Sequence, residues 1–135
     1  MLLSARFLND VANVNSFEYA DVAEFTEGDP AAVYFQLIDA SLDKPGEGFV
    51  PSGRRYVPAS GATLQVTIES VDDAKEIVRT ATQPVANDGS IWKVDFLATD
   101  KIRGTANMRL RLTEGAVIRS GLVKSGFRIH SLTCL

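Results

Sequence analysis

The sequence predicts an all-β fold, an immunoglobulin-like antiparallel β-sandwich of about seven strands, and three observations indicate it. Short segments rich in β-branched and aromatic residues recur from residue 33 onward, and several alternate between apolar and polar side chains. Glycine, proline, asparagine and aspartate separate these segments, and helix signals are scarce. The chain has 135 residues, of which 45% are hydrophobic, so it can build the core of one such domain.

The first strand of the predicted sandwich covers residues 33–38, which are mostly apolar on both faces and are therefore expected deep in the sheet. Residues 43–53 follow, with two prolines and three glycines. Because these residues fix or free the backbone angle φ, we expect a long exposed loop there.

The middle of the chain predicts three further strands. Residues 63–69 alternate most clearly, with one buried and one exposed face, and an extended segment follows at residues 77–82. A tight-turn signal at residues 87–90 precedes a strand at residues 91–97. Alternation in this last strand points Trp92 inward, so the only tryptophan is predicted to be a core anchor.

The last third predicts a hairpin and a closing strand. Apolar and polar side chains alternate over residues 107–113, a Glu-Gly turn follows, and residues 116–119 form the second strand of the predicted hairpin. We expect Arg109 and Arg111 to be exposed and the apolar residues between and beside them to be buried. A separate strand at residues 125–130 is expected to complete the sandwich.

Residues 1–30 have scattered aromatic side chains but neither a clean period nor much turn chemistry. They form either an arm, docked on this subunit or a neighbour, or extra edge strands of the sandwich domain at residues 31–135. If they form an arm, removing them leaves a folded domain that no longer assembles.

Charge is distributed unevenly along the chain, although the net charge is only −3. Residues 1–50 contain nine acids and two bases, giving −7, whereas residues 101–135 contain seven bases against Glu114 alone, giving +6. The two ends either neutralise each other within one fold or let the front of one subunit meet the rear of the next.

The residue types that carry catalysis and metal binding are scarce. His130 is the only histidine and Cys134 the only cysteine, which argues against acid–base or nucleophilic catalysis and against a zinc site. The acids lack the ligand spacing of a calcium loop. We therefore expect no enzyme activity, metal or cofactor, with His130 at a surface or edge and Cys134 open to pairing with another chain.

The chain lacks a signal-peptide pattern and any run of about 20 apolar residues, so we expect no membrane segment and synthesis in a cytoplasm. Nucleic-acid binding is disfavoured because the total charge is acidic and no aromatic residues interleave with the basic ones of the last third.

The most suggestive local cluster is Ser-Gly-Arg-Arg-Tyr at residues 52–56. Arginine and tyrosine displayed by a loop can grip a carboxylate or phosphate or anchor a protein interface, and a solvated loop end is the plain alternative. The candidate assembly-interface residues are Arg54, Arg55 and Tyr56 together with the aromatics Phe7, Phe17, Tyr19 and Phe25.

Several motifs, taken in order, resemble small virion structural proteins of tailed bacteriophages. They lie at residues 34–37, 53–58, 61–64, 90–92, 112–115 and 127–129, within about three quarters of the chain. The last stretch also resembles the β-sandwich at the amino end of phage baseplate upper proteins. These are strand and turn patterns, so no functional residue carries over.

The resemblance implies a structural subunit of a phage particle, in the tail or baseplate, the neck or the capsid decoration. It implies location in the virion, other virion proteins as partners and a homo-oligomer. The alternative is a small carbohydrate- or ligand-binding module, for which an exposed Trp92 would provide a sugar-stacking platform and a buried one would not.

Overall fold

The computed structural model describes residues 2–8, 19–20, 22–40, 54–72, 74–85 and 88–131, and across these ranges the chain is all-β, as predicted. The ten strands are β1 Leu3–Leu8, β2 Tyr19–Ala20, β3 Ala23–Thr26, β4 Ala31–Asp39, β5 Arg54–Arg55, β6 Thr63–Ser70, β7 Glu76–Thr80, β8 Ile91–Phe96, β9 Gly104–Glu114 and β10 Val117–His130. The loop predicted at residues 43–53 lies outside the described residues.

The strands form one mixed sheet in the order β4, β1, β10, β9, β6, β7. β8 and β5 pair with successive parts of β4, on the edge away from β1. The sheet curls until its two ends meet, because Thr82, just beyond β7, exchanges backbone hydrogen bonds of 3.0 and 2.8 Å with Lys93 of β8. A nearly closed sheet leaves few free strand edges.

The inward side chains of this sheet fill a single apolar core. Alternate residues of each long strand point inward, as the two-residue period of a strand requires. The buried set comprises Leu3, Ala5, Phe7, Val33, Phe35, Leu37, Leu64, Val66, Ile68, Ala81, Trp92, Val94, Phe96, Ile102, Ala106, Met108, Leu110, Leu112, Phe127 and Ile129.

The predicted alternation is confirmed in the strands that carry this core. Trp92 is 2% exposed, and Leu110 is buried between the exposed Arg109 and Arg111. The predicted hairpin is formed by β9 and β10, with Gly115 at a φ of 60° in the turn. That left-handed conformation suits glycine, which has no Cβ to clash.

The last two predicted strands are one continuous strand of 14 residues, β10. A bulge between Val123 and Phe127 shifts its register against β9. Ser125 sits there at a φ of 53°, and its N–H donates to the Asn107 side-chain oxygen at 2.8 Å. The sequence predicts one strand at residues 116–119 and another at 125–130, whereas a bulge bends a single strand without ending it.

The described part of residues 1–30 belongs to the sheet of this domain. β1 lies between β4 and β10, antiparallel to β4 over its whole length and parallel to β10. β3 runs parallel to the last four residues of β10. The sequence allowed either an arm or extra strands for residues 1–30, and the described strands are extra strands of the sheet. β1 lies in the interior of the sheet and not at its edge.

Gly121 permits the close approach of β1 to β10. It is the registered partner of Leu3. A Cβ atom at this position would lie 2.9 Å from the Leu3 carbonyl carbon and nearer still to its oxygen. Backbone cannot move aside as a flexible side chain can, so only glycine fits without separating the strands.

We predict that Gly121→Ala lowers the free energy of unfolding by about 2–3 kcal/mol, because the added methyl group overpacks the contact between two backbones. The midpoint and slope of urea unfolding measure this loss. The matched control is Gly89→Ala, whose new methyl group would meet only side-chain atoms of Val57 and Gln83 at 3.2 and 3.3 Å. It should cost less than about 1 kcal/mol. Equal effects of the two substitutions would contradict the role given to Gly121.

Removing residues 1–30 is expected to abolish cooperative unfolding, because it takes an interior strand, the buried Phe7 and the partly buried Phe25 from the sheet. Circular dichroism through a thermal ramp tests this. A truncated chain that keeps the strand signal and a sharp transition would show that the segment is dispensable.

Candidate functional site

Two of the predicted interface aromatics lie in the protein interior. Phe7 is 2% exposed, and its ring centroid lies 5.4 Å from that of Phe127. Phe25 is partly buried, with centroids 4.4 Å from Phe96 and 6.3 Å from Phe127. Tilted and edge-on contacts of this kind add to the energy of burial. Phe7 is therefore a core residue, and Phe25 packs against the core from β3 while keeping part of its surface exposed.

Of the other predicted residues, Arg55 and Tyr56 lie apart from Phe25. Phe17 lies outside the described residues. Tyr19 pairs with Leu8 and Arg54 pairs with Asp39 through the backbone of their strands. Arg55 and Tyr56 lie near the far end of β4 from Phe25. Arg55 has a side chain 64% exposed and reaches Asp88 at 3.4 Å. A surface ion pair this exposed contributes little stability.

Tyr56 is the centre of a polar cluster that joins the segment after β5 to the tip of the β9–β10 hairpin. Its hydroxyl donates to Glu114 Oε1 at 2.6 Å. The backbone N–H of Ala59 donates to Glu114 Oε2 at 2.9 Å, and Arg119 Nε donates to Oε1 at 3.0 Å. The Glu114 side chain is 11% exposed, so one nearly buried carboxylate of β9 accepts two hydrogen bonds from the segment after β5 and one from β10.

These contacts shift the pKa values of the cluster away from neutrality. The Tyr56 hydroxyl, with help from the Ala59 N–H and Arg119, holds the pKa of Glu114 below its ordinary value of 4.5, against the opposing effect of burial. The bond to Glu114 raises the pKa of Tyr56 above 10.0, and the same carboxylate raises the pKa of Arg119. General acids and bases work best with pKa values near the working pH. The cluster is therefore built to tie segments together.

A strip of apolar and basic side chains covers the outer face of the same hairpin. Ile118 is 53% exposed and Leu122 is 37% exposed. Their registered partners are Thr113 and Arg109, which alternate with the buried residues of β9 and so point outward. Arg111, opposite Ser120, lies between them, and Lys124 continues the row on β10. We call Arg111, Ile118, Leu122 and Lys124 the hairpin strip.

Part of the charge asymmetry is neutralised inside the subunit. Glu27 lies 3.5 Å from Arg103, and Glu24 lies 3.2 Å from Arg128. These two pairs join acids of the front segment to bases of the rear one. Within the described ranges, no ion pair is formed by either cation of the hairpin strip, Arg111 or Lys124.

His130 lies on the exposed face of β10, where its Nε2 atom is 3.2 Å from Glu24 Oε2. Cys134 lies outside the described residues. Among the residues that the structure describes, no three histidine, cysteine, aspartate or glutamate side chains gather as a metal site would need. The same part of the chain contains no helix of the length and apolarity that crossing a membrane requires.

Comparisons of this chain with protein-family models, with curated proteins and with solved structures find no match.

The link between Tyr56 and Glu114 was not predicted from the sequence, although a signal for it exists. Glu114 is the only acid among the last 35 residues, surrounded by seven bases. An isolated acid in a basic segment has many cations available to it, yet its shortest bond is to a tyrosine 58 positions earlier. Such a partner is found only once the strand order is known.

We predict that Glu114→Gln lowers stability at neutral pH by about 1–2 kcal/mol, because the charged acceptor of three hydrogen bonds becomes neutral. The folded-state pKa of Glu114 lies below 4.5, so its contribution is complete above pH 4.5 and is lost as pH falls through the folded-state value. The gap between wild type and variant should therefore close in acid.

Urea unfolding at a series of pH values from 7 downward measures this gap. The matched control is Glu76→Gln, which removes the same charge from an exposed position on β7. The control should differ from wild type by less than about 0.5 kcal/mol. If the difference in unfolding free energy between wild type and Glu114→Gln stays the same at a pH low enough to protonate carboxylates, the charge of Glu114 has no part in the cluster.

Proposed function

We propose that this chain is a structural subunit of a bacteriophage particle, placed in the tail or baseplate, the neck or the capsid decoration, and that it works by assembly rather than by catalysis. On this proposal it is made in the host cytoplasm and resides in the virion, with copies of itself and other virion proteins as partners. The hairpin strip is the observation that carries the assembly role, and the motif resemblance supports the virion setting.

The hairpin strip has the character of a protein contact. Its two aliphatic side chains remain well exposed although the chain has a full apolar core to hold such residues. Val117, 48% exposed at the hairpin tip, lies next to them. Large aliphatic side chains grouped on a rigid strand pair favour burial against another protein, with a gain of roughly 25 cal/mol per Å² of apolar surface covered.

The expected occupant of the strip is a second copy of this chain, and charge is the reason. Arg111 and Lys124 give the strip a positive character, while the front segment of the chain carries an excess of acids. Glu24 and Glu27 are engaged within the subunit, and Asp29 is an exposed acid of the same segment. Positive and negative surfaces on opposite parts of one chain favour head-to-tail assembly.

The alternative function, a carbohydrate-binding module, loses its main support because Trp92 is buried in the core. A sugar-stacking platform needs an aromatic face open to solvent.

We predict that the purified chain associates with increasing concentration and that Ile118→Ser with Leu122→Ser prevents this. The double substitution removes the exposed apolar surface and leaves every core residue in place. Sedimentation velocity over a wide concentration range, with circular dichroism to verify folding, measures the effect.

The matched control replaces two other exposed aliphatic residues, Val57→Ser with Leu97→Ser, which are 55% and 54% exposed and lie outside the hairpin. It should assemble as wild type does. A wild-type chain that stays monomeric throughout, or an equal loss in control and test variants, would refute assembly through this strip.

A further inference from the structure

An open cleft of about 850 Å³ lies at the end of the sheet where β9 begins and β10 ends. Its floor is the outer face of these two strands, and one wall is the segment between β6 and β7. Arg128 is the registered partner of Thr105, and the Val71 N–H donates to the Thr105 carbonyl at 2.9 Å, so floor and wall are joined by backbone bonds. The lining residues are Asp72, Lys75, Arg103, Gly104, Thr105, Arg128, Ile129, His130 and Ser131.

The lining is rich in hydrogen-bond donors and positive charge. The lining contains three cations, Lys75, Arg103 and Arg128, against one carboxylate, Asp72, and the imidazole of His130 adds a further polar group. The side chains of Arg103 and Arg128 are each more than half exposed, so their guanidinium groups remain accessible beside their glutamate partners. Within the described residues, Lys75 on the wall forms no ion pair.

Ion pairs restrain the two arginines of the cleft, and a glycine keeps its floor open beside Asp72. Glu27 and Glu24, which lie outside the lining, contact Arg103 and Arg128 and restrain them. Gly104 has a φ of 82°, and a side chain there would approach the Asp72 carboxylate to 3.3 Å. A glycine at the floor therefore leaves room between the arginines and the wall.

We propose that this cleft binds a small ligand that carries at least two oxyanion groups, phosphate or carboxylate. Guanidinium groups bind such oxyanions through paired, charge-assisted hydrogen bonds, and an ammonium group opposite them serves as a point charge for a second group. The Thr105 hydroxyl adds a neutral donor. The volume falls in the range of small-molecule sites and exceeds what a single phosphate fills.

The lining favours a small ligand over a nucleic acid. A single-stranded nucleic acid needs aromatic side chains on which its bases stack, and apart from the imidazole of His130 the lining is aliphatic or polar. The net charge of the chain is also negative.

The test is a titration of the full chain with pyrophosphate and with citrate at constant ionic strength, followed by calorimetry and by ¹⁵N amide shifts. The expected result is saturable binding of at least one of the two, with shifts concentrated at residues 71–75, 103–105 and 128–131. Absence of saturation with both ligands, or binding only of a single-stranded oligonucleotide, would overturn the proposal.

Two double variants decide where the ligand binds. Arg103→Gln with Arg128→Gln removes two charges from the cleft, and Lys93→Gln with Arg109→Gln removes the same charge from two ion-paired cations outside the cleft and the hairpin strip. The cleft variant should bind roughly tenfold more weakly or worse, since it loses charge-assisted bonds, and the control should stay within roughly twofold of wild type. An equal loss in both would refute a specific site.

Lys75→Gln keeps the test decisive if the double cleft variant does not fold, because it changes one exposed side chain on the wall. It should weaken binding by severalfold with an unchanged unfolding transition. If a folded Lys75→Gln chain binds the ligand with wild-type affinity, Lys75 does not contact the ligand. That result would refute the proposal that the ligand carries a second oxyanion bound by this residue.

Discussion

The fold depends on the insertion of β1 between β4 and β10. This strand connects the half of the sheet built by β4 and β8 to the half built by β10, β9, β6 and β7. Without it, the two halves would face each other only through side chains and the short bridge at Thr82. The contact is possible because Gly121 offers no side chain where β10 meets the backbone of Leu3. One glycine late in the chain thus admits a strand from its beginning.

The closed sheet separates the surface into regions with different chemistry. The core occupies the interior, so interactions with other molecules fall to the ends and the outer faces. At one end, Tyr56, Glu114 and Arg119 form a closed polar cluster whose groups satisfy each other. At the other, Arg103 and Arg128 line an open cleft. The hairpin strip lies on the outer face between them. The surface proposed for assembly and the cleft proposed for ligand binding therefore share no residues.

Much of the fold could be predicted from local patterns. The alternation of apolar and polar residues identified the buried faces around Trp92 and Leu110, because successive side chains of a strand point to opposite faces of the sheet. The hairpin followed from its turn residues. The position of β1 could not be predicted, since its partner Gly121 lies 118 residues away and a parallel contact leaves no local turn signal. Phe7 and Phe25 were assigned to an interface for the same reason. Of these two side chains, Phe7 is a core residue and Phe25 is partly buried against the core.

The candidate sites were predicted less well, because they combine residues from distant segments. Tyr56 was predicted as an assembly-interface residue, and its hydrogen bond to Glu114 within the subunit was not predicted. The cleft joins the β6–β7 segment to the ends of β9 and β10, and no spacing in the sequence connects these regions. A bulge read as a strand break hid the continuity of β10, which carries Ile118 at one end and Arg128 at the other.

Native-state hydrogen exchange of the β1 amides tests the integral position of this strand most directly. The amides of β1 that bond to β4 should exchange only through global unfolding, with the same dependence on denaturant as the central amides of β9. Exchange of β1 at a much lower free energy of opening, while β9 stays protected, would show a strand that detaches on its own. Such a result would contradict a sheet that depends on β1.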